Sequence, residues 1–248
     1  MKIIELHRSL TESNDRDADA LRARLKAEGT LLVNVMSSPG AGKTTLLSRI
    51  IRDIGDKKRI AVLEADIDAS VDAERIEALG ARAIQAHTDG MCHLDAGMTA
   101  AALNELGTAD TDLIFLENVG NLICPAEFDT GAALKLMLLS VPEGDDKPLK
   151  YPLMFAESDI LVITKTDALP WFNFDPEKCA ARAKRLNPNL RILSVSAKTG
   201  DSDGKSFAAA LATAPRFRNR SRSALVQASI ASPVKRVSSS SRGVARPC

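Results

Sequence analysis

Between the apolar run LLVNVM (31–36) and the amphipathic LLSRIIRDI (46–54), the chain places SSPGAGKTT, residues 37–45. This link restricts the fold more than any other stretch. Small residues crowded between a buried strand and a helix let backbone N–H groups close around an anion, and the helix dipole adds to its attraction. Gly40, Ala41, Gly42, Lys43, Thr44 and Thr45 then form a phosphate cradle. In it Lys43 reaches the β and γ phosphates and the Thr44 hydroxyl ligates Mg²⁺. The usual pattern is GxxxxGK[ST]; here Ser37 replaces its first glycine, while Pro39, Gly40 and Gly42 keep the turn tight.

A cradle of this kind needs a parallel sheet behind it. Seven short apolar segments alternate with helical patterns: LLVNVM, RIAVLE, ARAIQA, DLIFLE, ALKLMLLS, DILVIT and RILSVS. Strands apolar on both faces imply an α/β fold, a mostly parallel seven-stranded sheet flanked by helices, the P-loop NTPase architecture. The stretch DRDADALRARLKA (15–27) reads as an amphipathic helix leading into the first strand. Residues 1–214 are expected to form one nucleotide-binding domain with that N-terminal helix.

Residues 215–248 differ in kind. They carry eight Lys or Arg and no acid, and their Ser/Arg-rich, aperiodic composition reads as a disordered basic tail. Without them the chain holds 25 basic and 32 acidic residues, an acidic body that argues against a nucleic-acid partner. The start turns acidic before any apolar targeting core develops, and no run reaches the roughly 18 apolar residues of a membrane span. A cytoplasmic protein without membrane partners is expected. Four cysteines are too few for a disulfide framework and suit reduced thiols or metal ligands.

Two segments near the C-terminal strands select the base. In ILVITKTD the residues Thr164, Lys165 and Asp167 are similar to the NKxD box of GTPases, with threonine in place of asparagine. An Asp167 carboxylate accepts from N1–H and N2–H₂ of guanine, whereas adenine would leave it facing an acceptor. The Lys165 stem is expected to cover the base face, and Ser196, Ala197 and Lys198 in SVSAKTG to close over its edge. On the phosphate side, DLIFLENVG places Glu117 at a strand end, where a carboxylate holds Mg²⁺, and Gly120 where its N–H senses the γ-phosphate. Asp66 in VLEADIDAS is a second Mg²⁺ candidate, ahead of Asp68 and Asp72. Lys43, Thr44, Asp66 and Glu117 are thus the candidate catalytic set. No glutamine stands where it would orient water, so intrinsic hydrolysis is expected to be slow, as suits a switch.

TDGMCHLDAG contains Cys92 and His93, and ENVGNLICPAEFD contains Cys124. Thiolate and imidazole suit Ni²⁺ or Zn²⁺, but three ligands spread over two segments lack the repeated spacing of a zinc finger, and from the residues alone each cysteine reads first as a small buried hydrophobe. Neighbours in extended chain point to opposite faces, so Cys92 and His93 share a metal only in an irregular turn. Cys124 follows Gly120 by four residues, a tether of at most about 14 Å. Pro125 is expected to hold Cys124 extended.

Taken together, SSPGAGKTTLL, VDAERIEALGA, CHLDA, ENVGNLICPAEFD, EGDDKPLKYP and TKTDAL cover most of residues 31–200. In this combination the chain resembles the hydrogenase maturation GTPases that deliver nickel, the SIMIBI-type HypB family. The resemblance implies a GTP-hydrolysing metallochaperone whose Cys92, His93 and Cys124 form a nickel or zinc site at the interface of a GTP-favoured homodimer. It implies as partners a nickel-binding accessory protein of hydrogenase maturation and the hydrogenase large-subunit precursor. CHLDA separates the chain from related GTPase chaperones for urease nickel or cobalamin enzymes, and a P-loop small-molecule kinase is the alternative from another class. The only histidines are His7, His87 and His93, so the histidine-rich nickel store of some family members is absent from this sequence.

Overall fold

In a computed structural model, residues 6–66, 71–88 and 90–199 are described. The expected boundary at 214/215, the basic segment after it and Asp68 lie outside the described residues. So do the side chains of Asp66 and Asp72.

Helix α1 (Leu6–Glu28) leads into β1 (Leu31–Met36), α2 (Lys43–Ile54), β2 (Ile60–Asp66) and α3 (Val71–Glu77). Then come β3 (Arg82–His87), α4 (Ala96–Leu106), β4 (Leu113–Glu117), the single-turn α5 (Cys124–Glu127) and β5 (Leu134–Ser140). After a 3₁₀ turn at Val141–Glu143, the chain forms α6 (Lys147–Lys150), α7 (Pro152–Glu157) and β6 (Ile160–Thr164). A second 3₁₀ stretch at Thr166–Trp171 precedes α8 (Pro176–Leu186) and β7 (Arg191–Val195). The strands form one seven-stranded sheet in the order β3-β2-β4-β1-β5-β6-β7. Each expected apolar segment supplies one strand, and every pairing is parallel. None of the described helices is long and apolar enough to cross a membrane.

Alternation along the strands builds two buried faces. Val33 and Val35 of β1 pack with Leu47 and Ile50 of α2 and with Phe115 of β4. Leu32 of β1, with Ile114 and Leu116 of β4, packs against Leu21 and Leu25 of α1 and Leu103 of α4. Toward β6 the core continues with Met154 and Phe155 of α7 and Cys179 of α8. Burial pushes the Cys179 thiol up to about 12, so this cysteine belongs to the core. With β1 central, its carboxyl end opens onto the crevice where strand order reverses, the usual ligand position in open α/β sheets.

Two expectations are corrected. Helix α1 begins well before Asp15, and Asn14 lies buried within it, its side chain hydrogen-bonded to other segments. Cys124 is not extended: it opens α5 with Pro125 in the first turn, where a missing N–H costs no hydrogen bond.

Candidate functional site

The phosphate loop turns through two left-handed residues, Gly40 (φ 71°) and Gly42 (φ 98°), a conformation costly for any side chain with a Cβ. Gly42 precedes α2 without a side-chain cap, so the first-turn N–H groups stay available for an anion. Ser37 is fully buried; its hydroxyl donates to the Ser38 carbonyl (2.7 Å) and accepts from Lys43 Nζ (3.3 Å). A small residue that orients the lysine thus occupies the position of the usual first glycine.

A cavity of about 570 Å³ lies over this loop. Gly40, Gly42, Lys43, Thr44 and Thr45 line it, and facing them are Glu117 and Gly120. Thr44 Oγ1 donates to Glu117 Oε1 at 3.0 Å, which brings the two predicted Mg²⁺ ligands together. Gly120 sits so close to the loop that a Cβ there would meet Pro39 at 2.9–3.0 Å. Three lining or bracing residues were missed from sequence. Glu64 stands beside Glu117 in the β2–β4 register and lines the cavity, as does Arg75 of α3. Glu143 accepts the Ser38 hydroxyl with one oxygen and the Ser140 N–H (2.8 Å) and hydroxyl (2.7 Å) with the other. The acidic start of EGDDKPLKYP therefore braces the phosphate loop against the end of β5.

Where the base was expected, Ser196 donates to Asp167 Oδ1 at 2.6 Å and in turn accepts the Thr199 N–H. Half-buried Asp167 is thereby oriented, while Ala197 is half-buried and Lys198 exposed. Thr164 is buried, and its hydroxyl donates to the Ala41 carbonyl at 2.7 Å. Lys165, at φ 58°, donates to the Gly40 carbonyl at 2.7 Å. Both residues tie this segment to the phosphate loop.

The second centre lies beyond Gly120. One ligand atom from each of Cys92, His93 and Cys124 falls within 4.8 Å of the others. The thiol sulfurs are 2.8 Å apart, and His93 Nδ1 is 3.7 Å from Cys92 Sγ. Cys92 and His93 occupy an irregular bend before α4, which lets neighbours converge. Cys92 is exposed, Cys124 half-buried and His93 buried, its ring stacked on Phe128 at 3.9 Å. Burial lowers the His93 pKa against the pull of Asp95 and Glu127, so the ring is neutral and able to ligate. Burial and the neighbouring Cys92 raise that of Cys124, so this thiol gives up its proton when a metal draws out the thiolate. The buried His93 Nε2 has no hydrogen-bond partner among the described residues, and two thiols with one imidazole fit a thiophilic ion such as Ni²⁺ or Zn²⁺.

One side chain links the cavity lining to the Cys92–His93 bend. Asn118, next to Glu117, accepts the Leu94 N–H (3.4 Å) and the Val119 N–H (2.9 Å) and donates to Asn34 of β1 (3.1 Å). Leu94 adjoins His93, so this contact adds a through-space link to the tether from Gly120 to Cys124.

Residues 31–194 match the family model described as CobW/HypB/UreG, nucleotide-binding domain. The hydrogenase maturation factor HypB of Azotobacter chroococcum is 46% identical over 204 residues, 82% of this chain and 67% of that protein. HypB of Escherichia coli K12 is 46% identical over 200 residues, 81% and 69% of the two chains. The crystal structure of Helicobacter pylori HypB in complex with nickel superposes with a TM-score of 0.77 at 38% identity, covering 85% of this chain and all of that one.

Proposed function

The chain belongs to the HypB family of CobW/HypB/UreG nucleotide-binding proteins, and from that membership we propose that it delivers nickel during hydrogenase maturation under the control of GTP. Nickel is its cargo, held by Cys92, His93 and Cys124, with zinc as the competing ion for the same donors. Lys43 and the phosphate-loop N–H groups bind the β and γ phosphates, and Asp167 selects guanine. Thr44 and Glu117, with Asp66 from the end of β2, would hold Mg²⁺, which when bound neutralises phosphate charge. Hydrolysis of GTP to GDP and phosphate is slow, resetting a switch. Gly120 responds to the γ-phosphate, and GTP favours a homodimer that brings two metal loops together. An accessory nickel protein and the hydrogenase large-subunit precursor are the proposed donor and acceptor, in the cytoplasm.

One observation carries this reading: a Cys–His–Cys cluster lies within reach of the Glu117–Gly120 segment, whose first carboxylate bonds the phosphate-loop threonine. Coupling between such sites typically amounts to about 1–3 kcal/mol, or roughly 5- to 150-fold in affinity. The test is Ni²⁺ titration of the reduced protein loaded with GDP or a non-hydrolysable GTP analogue. Nickel affinity that depends on nucleotide and vanishes in Cys124→Ala is expected. Equal affinities in the two states would defeat the coupling, and absence of Cys124-dependent binding would defeat the cargo site.

A further inference from the structure

The two segments that carry the thiol and imidazole ligands share no strand or helix, and the first side chain to bridge them comes from α1. Asn14 is buried. Its amide oxygen accepts the Ala96 N–H at 2.8 Å, and its amide nitrogen donates to the Asp129 carbonyl at 3.0 Å. These partners lie 82 and 115 residues away in sequence. Ala96 opens α4 directly after Cys92–Asp95, and Asp129 directly follows Phe128, the C-cap of the turn that starts at Cys124.

Each bond meets a specific need. The first N–H groups of a helix have no partner within it. In α4, Asp95 takes the Met98 N–H (2.8 Å) and Asn14 takes that of Ala96. Asp129 presents a carbonyl and Ala96 an N–H, so a carboxamide suits both where a carboxylate or an alkyl group does not. About two turns along α1, Arg22 secures the same segment, donating to Asp129 Oδ2 at 2.7 Å and to the Ala132 carbonyl at 3.4 Å. Phe128, next to Asp129, then stacks on His93.

We propose that Asn14 is a positioning residue of the nickel site: it holds the Cys92–His93 bend and the Cys124 turn at the separation that lets one ion reach all three ligands. This rests on the cargo-site reading above. Helix α1 thereby serves as the template on which the site is assembled, although it supplies no ligand.

The experiment uses the full chain with Asn14→Ala, Asn14→Asp and a control, Leu25→Ala, which removes a buried α1 side chain away from the bridge. Three quantities are read: Ni²⁺ affinity, the thiolate-to-nickel charge-transfer band, and the rate at which diamide oxidises Cys92 and Cys124 to a disulfide in metal-free protein. Binding of a fluorescent GDP reports the integrity of the rest of the fold. Asn14→Ala should weaken nickel binding by about 10- to 100-fold, as loss of outer-shell support typically does, shift the band and slow the cross-link, with GDP binding unchanged. Asn14→Asp keeps an acceptor for Ala96 and should fall between; it carries the test if the alanine variant does not fold. Leu25→Ala should lower the melting temperature and leave all three quantities as they were. Wild-type affinity, band and cross-linking rate in both Asn14 variants would overturn the proposal, as would an equal loss of nickel affinity in Leu25→Ala. Nickel binding that survives Cys124→Ala would instead remove the cargo site, a failure recognisable because it shows before any Asn14 variant is made.

Discussion

Asn118 stands one residue past Glu117, and its carboxamide accepts the backbone N–H of Leu94, the neighbour of His93. A residue lining the phosphate-loop cavity thus holds the bend that carries Cys92 and His93. Replacing Asn118 with alanine cuts this link and leaves Asn34 Oδ1 without that donor. Stability should fall by about 1–3 kcal/mol, the usual cost of unsatisfying a buried polar group. More tellingly, the ratio of nickel affinities between GTP-analogue and GDP states should contract toward one. Calorimetric titration in both states checks this; an unchanged ratio would assign the whole coupling to the Gly120–Cys124 tether.

Gly120 lies against Pro39 with no room for a Cβ. Gly120→Ala must push the phosphate loop and the Glu117–Gly120 segment apart. Overpacking of this kind costs about 1–3 kcal/mol, which should show as a loss of guanine-nucleotide affinity of roughly tenfold or more. Fluorescent GDP and GTP-analogue titrations measure it. Unaltered binding would mean that the contact opens without consequence.

Under the proposed guanine-reading role of this segment, Thr164 and Asp167 are expected to act differently. Thr164→Val leaves the Ala41 carbonyl without its hydroxyl donor and should weaken GDP and GTP alike, by about 1–2 kcal/mol. Asp167→Ala should instead erase discrimination between GTP and ATP. Competition binding with both nucleotides separates the two effects. A retained guanine preference in Asp167→Ala would place base selection elsewhere.

Acid should loosen the docking of α1. Burial acts to raise the Asp129 pKa, but Lys135, Arg22 and the Gly131 N–H together hold it below the ordinary carboxylate value. A depressed folded-state pKa contributes stability that is fully present above the unfolded value of 3.8 and is lost as pH falls through the folded value. Asp129→Asn removes one of the two carboxylates paired with buried Arg22, Asp19 being the other, and should destabilise the protein near neutral pH by about 1–2 kcal/mol. That difference should shrink below about pH 4 as wild-type Asp129 itself protonates. Melting temperatures of both proteins across pH 3–7 provide the check. A gap constant with pH would show that the charge of Asp129 contributes nothing.

Local pattern determined a large part of this protein. The five inner strands were legible because a strand covered on both faces is largely apolar, the half-exposed edge strands β3 and β7 by short apolar runs, and the phosphate loop because its glycines answer a backbone requirement met within nine residues. Convergence of Cys92, His93 and Cys124 was legible only through the HypB resemblance, since neither their spacing nor any periodicity brings two segments together. Tertiary structure alone decided what fastens the site. Asn14, Asn118 and Glu143 act through individual hydrogen bonds, at least one of each reaching a backbone or hydroxyl group on a distant segment of the chain. Such bonds are directional and specific to one pair of atoms, so they impose no repeat on the neighbouring residues. Burial writes itself into sequence as a period of two or 3.6 residues, whereas a lone polar bridge between distant segments exists only once the chain has folded.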